Sequence, residues 1–274
     1  SNTVSTTVQD VSIKSGSITA GLESELANNT DNALLNLMSL SSATLANNEI
    51  SDTFTWNFDS STYSFDYLAN AETIVFDYTI RATDSNDPST FVDKVITVTI
   101  LGTNDTPDIV AVDVAGSVKE DTSLSGGNLV ENGSITFSDL DVSDTSDTTL
   151  SFVSAEVTTG TTNVTSALNA ALSNAVSLNG NVLNANNGTV NWDFALDNDL
   201  VQYLAEGEVV TATYRVTVTD DSGVNAQILP NELNSRTQDI VVTITGSNDD
   251  PIITAAISDI SFTEDVDASA QDLS

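Results

Sequence analysis

The chain is predicted to be all-β, built of tandem antiparallel β-sandwiches, each with room for one short helix. Three observations lead there. Apolar and polar β-branched residues alternate with period two in several runs. Asn, Asp, Gly and Ser clusters separate those runs, as turns require. A phrase that closes one such run returns later in the chain, the mark of a repeat.

Along the chain, Val95 to Ile100 alternates and is followed by Gly102-Thr103-Asn104-Asp105-Thr106-Pro107. Thr213 to Thr219 places Tyr214, Val216 and Val218 out of phase with its threonines, giving one face to a core and one to water. Ile240 to Thr245 behaves alike and ends in Gly246-Ser247-Asn248-Asp249-Asp250-Pro251. Two stretches depart from period two. Ser166 to Leu178 sets Leu168, Leu172 and Val176 four apart, which predicts a short surface helix capped by Ser166. Thr30 to Leu40 is its counterpart. Trp56 and Trp192 sit in matching Trp-x-Phe segments and are expected in the core, on inner strand faces.

The repeat extends well past its closing phrase. From 102 to 246 the offset is 144, and Glu120-Asp121 answers Glu264-Asp265 at the same offset. Val11 to Gly16 aligns loosely with Ala155 to Gly160, again at 144. Trp56-Asn57-Phe58, Tyr67-Leu68-Ala69, Tyr78 and Thr83-Asp84 recur at an offset of 136, which places an insertion of eight residues between Asp220 and Asp239. Three units are expected: 1–103, incomplete at its start; 104–247, complete; and 248–274, the start of a third. A chain that opens on Ser1 and stops inside a unit reads as part of a longer array. Its last stretch is expected to be able to pair with the first unit of another copy by strand addition.

The charge excludes several functions. With 40 acidic and 6 basic residues the formal net charge is −34. Lys14, Arg81, Lys94, Lys119, Arg215 and Arg236 are scattered singly, so no positive surface exists for nucleic acid or an anionic membrane. There is no Cys and no His, which removes disulfides, thiolate zinc sites, Cys nucleophiles and the Ser-His-Asp triad. An enzyme is not expected: the acids recur with the architecture, and no carboxylate pair stands apart from the others as a glycosidase would need. What the carboxylates can do is bind hard divalent cations through oxygen.

The acids follow an order through the middle unit. Asn104-Asp105 comes first, then Glu120-Asp121, then Asp139-Leu140-Asp141, then Thr219-Asp220-Asp221, and finally Asn248-Asp249. In Asp-x-Asp both carboxylates can converge on one ion, with Asn side chains and backbone carbonyls completing the shell. Asp144 and Asp147 are expected to face solvent. An EF-hand beginning at Asp139 fails, since Asp144 falls where Gly is needed and Leu150 where Glu is needed. The Gly-rich nonapeptide of a calcium β-roll is absent.

This order of motifs resembles the cadherin repeat, and more closely the bacterial cadherin-like and VCBS-type repeats of large RTX-type surface adhesins. The unit is longer than a simple immunoglobulin-like sandwich. The resemblance implies immunoglobulin-like or cadherin-like sandwiches with Ca2+ at the joints between them. One joint would use Glu72, Asn104, Asp105, Asp139, Asp141 and Asp220. The next would use Glu120, Asp121, Glu206 or Glu208, Asn248 and Asp249, with further ligands beyond Ser274. The resemblance also implies an extracellular, cell-surface location, export by type I secretion from a Gram-negative bacterium, and a spacer role in adhesion and biofilm. Its partners would be neighbouring repeats and an adhesion target, a surface, a glycan or another cell. The alternative reading is a β-sandwich that binds a carbohydrate or protein ligand through loops or exposed aromatics.

Overall fold

The computed structural model describes residues 4–19, 22, 33–41, 53–180, 186–222 and 234–253. Glu264, Asp265 and the rest of 254–274, and the expected insertion around Gly223 and Pro230, lie outside them. Among the described residues the strands are β1 (Val4–Gly16), β2 (Met38–Leu40), β3 (Trp56–Phe58), β4 (Thr73–Asp84), β5 (Phe91–Leu101), β6 (Asp108–Asp113), β7 (Ala115–Lys119), β8 (Asn128–Ser138), β9 (Ser146–Thr159), β10 (Val176–Asn179), β11 (Asn187–Asp197), β12 (Val209–Asp220) and β13 (Ser235–Thr245). One short helix, α1 (Ser166–Leu172), lies between β9 and β10. The fold is an all-β sandwich architecture of the immunoglobulin-like or cadherin-like kind.

Residues 108–245 form two facing sheets, ordered β10-β11-β8-β6 and β7-β13-β12-β9. Period-two alternation sets what they bury: Tyr214, Val216, Val242 and Ile244 from one sheet meet Ile135, Trp192, Phe194 and Leu196 from the other. All pairs are antiparallel except β7 with β13, which run parallel with Val241 opposite Ala115 and Thr245 opposite Lys119. The exception follows from the path of the chain, which leaves the edge of one sheet at β6 and enters the other at β7 after a single residue, Val114.

Residues 4–101 form the sheet β1-β4-β5 and the ribbon β2-β3. Their core gathers Val11, Leu68, Ile74, Phe76, Tyr78 and Ile80. The order β1-β4-β5 matches β9-β12-β13 at the repeat offsets. The details match as well: Gly16 and Gly160 both take φ +116°, and Tyr78 and Tyr214 donate from their hydroxyls to the carbonyls of Leu34 and Leu172, each at 2.8 Å. Arg81–Asp93 and Arg215–Asp239 are paired across strands by two hydrogen bonds each.

The helix differs from expectation. It stops at Leu172, Val176 already belongs to β10, and the cap is Thr165, whose Oγ1 accepts from Leu168 N at 3.1 Å. Asn174 and Ser173 donate their side chains back to Ala170 O, closing the turn before the third apolar position, Val176, can be wound into it. In the counterpart, a 3-10 turn at Leu35–Leu37 occupies the described part, and 30–32 lie outside it.

The tryptophans also differ. Trp192 is fully buried and donates to Asp113 O at 2.7 Å, whereas Trp56 is 50% exposed. β11 is flanked by β8, with Trp192 opposite Gly133. Among the described residues β3 has β2 on one side and no strand on the other, so Trp56 lacks that cover. Gly133 is required by the close approach: a Cβ there would stand 2.3 Å from Asp113 O and 2.6 Å from Trp192 Nε1. Gly133→Ala is expected to destabilise the fold by about 1–3 kcal/mol, the cost of overpacking a filled core. Urea unfolding followed by tryptophan emission measures it, and an unchanged midpoint would contradict this account.

Candidate metal centre

β8 ends at Ser138, and the loop to β9 carries Asp139, Asp141 and Asp144. The loop winds on its own carboxylates. Asp139 Oδ1 accepts from Asp141 N at 3.0 Å, and Asp144 N donates to Asp141 O at 3.2 Å. This turn alternates the side chains: Leu140 and Val142 point out, and the three aspartates are buried. β12 delivers Asp220 to the same place, since Asp220 pairs with Ser146 at the start of β9. The segment between β5 and β6 brings Asn104 and Asp105. Asn104 Nδ2 donates to Asp220 Oδ2 at 3.3 Å, and Asp105 N donates to Asp141 Oδ2 at 2.7 Å. From the preceding sheet side, Tyr67 O accepts from Val142 N at 3.3 Å.

These acids are electrostatically unsatisfied. Asp139 Oδ2, Asp141 Oδ1, Asp144 Oδ2 and Ser146 Oγ are enclosed without a hydrogen-bond partner. Among the described residues no Lys or Arg bridges to any of them; the salt bridges involve Asp77, Asp93, Asp239 and Asp108. Burial, then repulsion from Asp220, Asp144 and Asp105, pushes Asp139 up to about 6 despite the bond from Asp141 N. Asp141 rises to about 6 by burial and by repulsion from Asp139, Asp105 and Asp220. Asp144 rises to about 7, chiefly by burial, with repulsion from Asp141, Asp220, Asp221 and Glu72 added. Asp105 is raised by burial and by Asp66. Glu72, part-buried, has Oε2 3.2 Å from Ala69 N.

A second cluster lies at the other end of β13. Glu120 is fully buried; Oε2 accepts from Ser247 N at 2.8 Å, and Oε1 is enclosed without a partner. Carboxylate oxygens of Glu120, Asp121 and Asp249 lie within 4.8 Å of one another, with Asp121 and Asp249 exposed. Burial is the main cause that raises Glu120, with Asp249 and Asp121 adding to it. Asp121 is held by Asn198 Nδ2 at 2.7 Å and Gln202 Nε2 at 3.0 Å. Asn248 Nδ2 reaches Asp249 O at 3.3 Å, as Asn104 Nδ2 reaches Asp105 O at 3.0 Å. The two clusters differ in kind: the first is deeper, the second more compact.

Two expectations are corrected. Asp144, expected in solvent, is 8% exposed, because the turn after Asp141 directs it inward; Asp147 is exposed as expected. Glu206 is exposed and takes no part in either cluster, while Glu208 is buried. Glu208 accepts from Thr161 N, Thr162 N and Ala205 N, which hold its carboxyl below the usual range. Its carboxylate is therefore tied to the β9 end rather than to Asp249. The 136 offset already pairs Glu72 with Glu208, and both accept from the amide three residues earlier. Asp66, Ser146 and Asn198 were not legible: their roles depend on which loops meet.

The donor set suits a hard cation. It is all oxygen, mostly carboxylate, and several oxygens are buried with nothing positive to balance them. Glu72, Asn104, Asp105, Asp139, Asp141, Asp144 and Asp220 supply the first group; Glu120, Asp121 and Asp249, with the Asn248 turn, supply the second.

No protein-family model matches the chain, and no curated protein matches it. Among solved structures the chain has distant likenesses. The adhesive subunit of the CFA/I fimbria of enterotoxigenic Escherichia coli is 12% identical, covering 74% of this chain and 67% of that one, with a TM-score of 0.36. A PapD-like domain of human CEP192 is 11% identical, covering 54% and 89%, at 0.30. The human desmocollin-1 ectodomain is 10% identical, covering 65% and 28%, at 0.28.

The raised carboxyls set a pH dependence. A group whose folded pKa exceeds its unfolded value near 3.9 costs stability when ionised and stops costing it once protonated. In chelator, the melting temperature is expected to rise as pH falls from 8 to 5, the window of Asp139, Asp141 and Asp144. Carboxyls held low, such as Asp93 and Asp239, lose their contribution only at more acid pH. Scanning calorimetry across this range should show the rise, and Asp144→Asn should reduce it, most at its upper end where Asp144 titrates. A flat wild-type profile would contradict the electrostatic reading.

Proposed function

We propose that the chain is a calcium-binding structural module of an extracellular adhesin, non-enzymatic, made of repeat units 1–103, 104–247 and a third beginning at 248. The observation that carries this reading is the group of buried aspartates, Asp139, Asp141 and Asp144, with partnerless oxygens and no cationic side chain, placed where one sheet set passes to the next. The repeated Asn-Asp turn and the order of acidic motifs support the cadherin-like and VCBS-type comparison, and through it the adhesive, surface-exposed role.

When bound, calcium supplies the positive charge that the site lacks. The residues do the rest. Asn104 and Asp105 tie the linker to Asp220 and Asp141, and Val142 reaches Tyr67 across the joint. Without countercharge the same carboxylates repel one another and loosen the joint; balanced, they clamp it. Extracellular modules bind calcium at a Kd of about 10⁻⁴ to 10⁻³ M, so occupancy would follow external calcium. At about 100 times Kd one site adds roughly 2.7 kcal/mol.

A second reading, ligand binding through an aromatic, is favoured by the half-exposed Trp56. Quenching of its emission by glycans would support that reading.

Thermal melts in chelator, in a calcium titration and with magnesium as control test the main proposal. Calcium is expected to raise the melting temperature in the millimolar range. Asp139→Asn with Asp141→Asn should melt higher than wild type in chelator, since repulsion is relieved, and should lose most of the calcium response. A double variant with an intact response would sink the assignment.

A further inference from the structure

The turn that presents Asp121 to the second cluster is held from outside that cluster. Asp121 takes φ +57°, a left-handed conformation that residues with a side chain seldom adopt. Asn198, 6% exposed, meets it twice: Oδ1 accepts from Asp121 N at 3.0 Å, and Nδ2 donates to Asp121 Oδ1 at 2.7 Å. Gln202 Nε2 donates to the same oxygen at 3.0 Å. Asn198 is itself fixed, since its N donates to Gly127 O at 3.1 Å and its O accepts from Val201 N at 3.2 Å. Asp121 Oδ1 is thus occupied by two amides, and among the described residues Oδ2 has no donor.

Two features make this more than a turn contact. Glu120, 0% exposed and in the same group of carboxylates, keeps Oε1 without a partner, so a buried acceptor already faces the place an ion would take. The turn, moreover, folds elsewhere without these amides. At the 136 offset Thr62 stands in the place of Asn198 and Asp66 in that of Gln202. The same backbone bond still closes both turns, Leu68 N to Phe65 O at 3.0 Å and Leu204 N to Val201 O at 2.9 Å. Asp121 is exposed, and without its two amide donors the side chain would be free to turn to water. Amides orient a carboxylate and leave its charge in place, whereas a Lys or Arg would cancel it. A metal ligand oriented by a neighbouring donor binds its ion more tightly than one left to rotate.

We infer that Asn198, assisted by Gln202, is the positioning residue of the second cluster: it locks the left-handed backbone of Asp121 and leaves Oδ2 for an ion shared with Glu120 and Asp249. The inference rests on the calcium reading above and adds to it residues that do not touch the ion. Glu120 is preset by the bond from Ser247 N at 2.8 Å, and Asp121 is preset by Asn198. These two form the rigid half of the site, and Asp249 closes it. Its affinity is then governed by the amides behind Asp121 as well as by the number of carboxylates in front.

Calorimetric calcium titration of the full chain is the test, on a background of Asp139→Asn with Asp141→Asn that silences the first cluster. Asn198→Thr borrows the residue of the matching turn and removes one amide donor; Gln202→Met removes the other at an exposed position. Asn198→Thr is expected to raise the calcium Kd by about 10-fold or more, and Gln202→Met by less. A purely structural contact would lower the melting temperature in chelator and leave the Kd unchanged, and that result overturns the inference while the calcium reading stands. A background protein that binds no calcium, when the wild-type chain does, overturns it as well. If circular dichroism shows that Asn198→Thr does not fold, Gln202→Met decides: a raised Kd supports the inference and an unchanged one overturns it. A wild-type chain that binds no calcium removes the calcium reading itself, so the two failures are told apart.

Discussion

Same-sign charge held out of water at strand ends is the constraint around which the chain is organised. A carboxylate enclosed without a donor or a cation costs several kcal/mol unless something neutralises it. Asp139, Asp141 and Asp144 each hold one carboxylate oxygen in that position, and Asp220 is buried beside them. The fold does not relax this by turning them outward. The Asx turn at Asp139 and the pairing of Asp220 with Ser146 fix them inward as part of the backbone path. The arrangement is therefore built into strand register rather than left to side-chain rotamers.

The rest of the fold serves that placement. Sheets of alternating residues bury a core on one face and need no acid to do so, as the all-apolar inner faces of β12 and β13 show. The enclosed acids of the two clusters lie at strand ends, where the chain changes sheet. Carboxylates in mid-sheet, such as Asp77, Asp93 and Asp239, are matched by Lys14, Arg81 and Arg215. Of the six basic residues, four pair with Asp77, Asp93, Asp239 and Asp108, and among the described residues none bridges to the acids of either cluster.

Much of this was legible in the sequence. Period two gave the long strands, and the recurring Asn-Asp-x-Pro phrase located both acidic clusters. Asp-x-Asp announced Asp139 and Asp141, because their convergence is local. Asp144 was missed because its burial depends on a turn wound by Asp141's carbonyl, which composition does not reveal. Glu206 and Glu208 stood as alternatives, although the 136 offset pairs Glu72 with Glu208. Trp56 and Trp192 share a motif and differ in burial, since the strand that covers one has no described equivalent beside the other. A motif specifies what a residue can do locally; the neighbouring strand decides whether it is covered.

Edge cover of that kind depends on residues distant in the chain. Within residues 108–245, β7 joins β13 after the chain has crossed from the opposite sheet, so its pairing is a long-range event. The strand is short, lies at an edge and is joined to its neighbours by the single residue Val114 on one side and the Glu120 turn on the other. Glu120 sits at that turn, its backbone N donating to Thr245 O and its carboxylate accepting from Ser247 N. The acidic cluster therefore occupies the point where β7 is fastened to β13. Neutralising Glu120 would secure the strand as well as the joint, which couples the charge balance at the strand ends to the closure of the sheet.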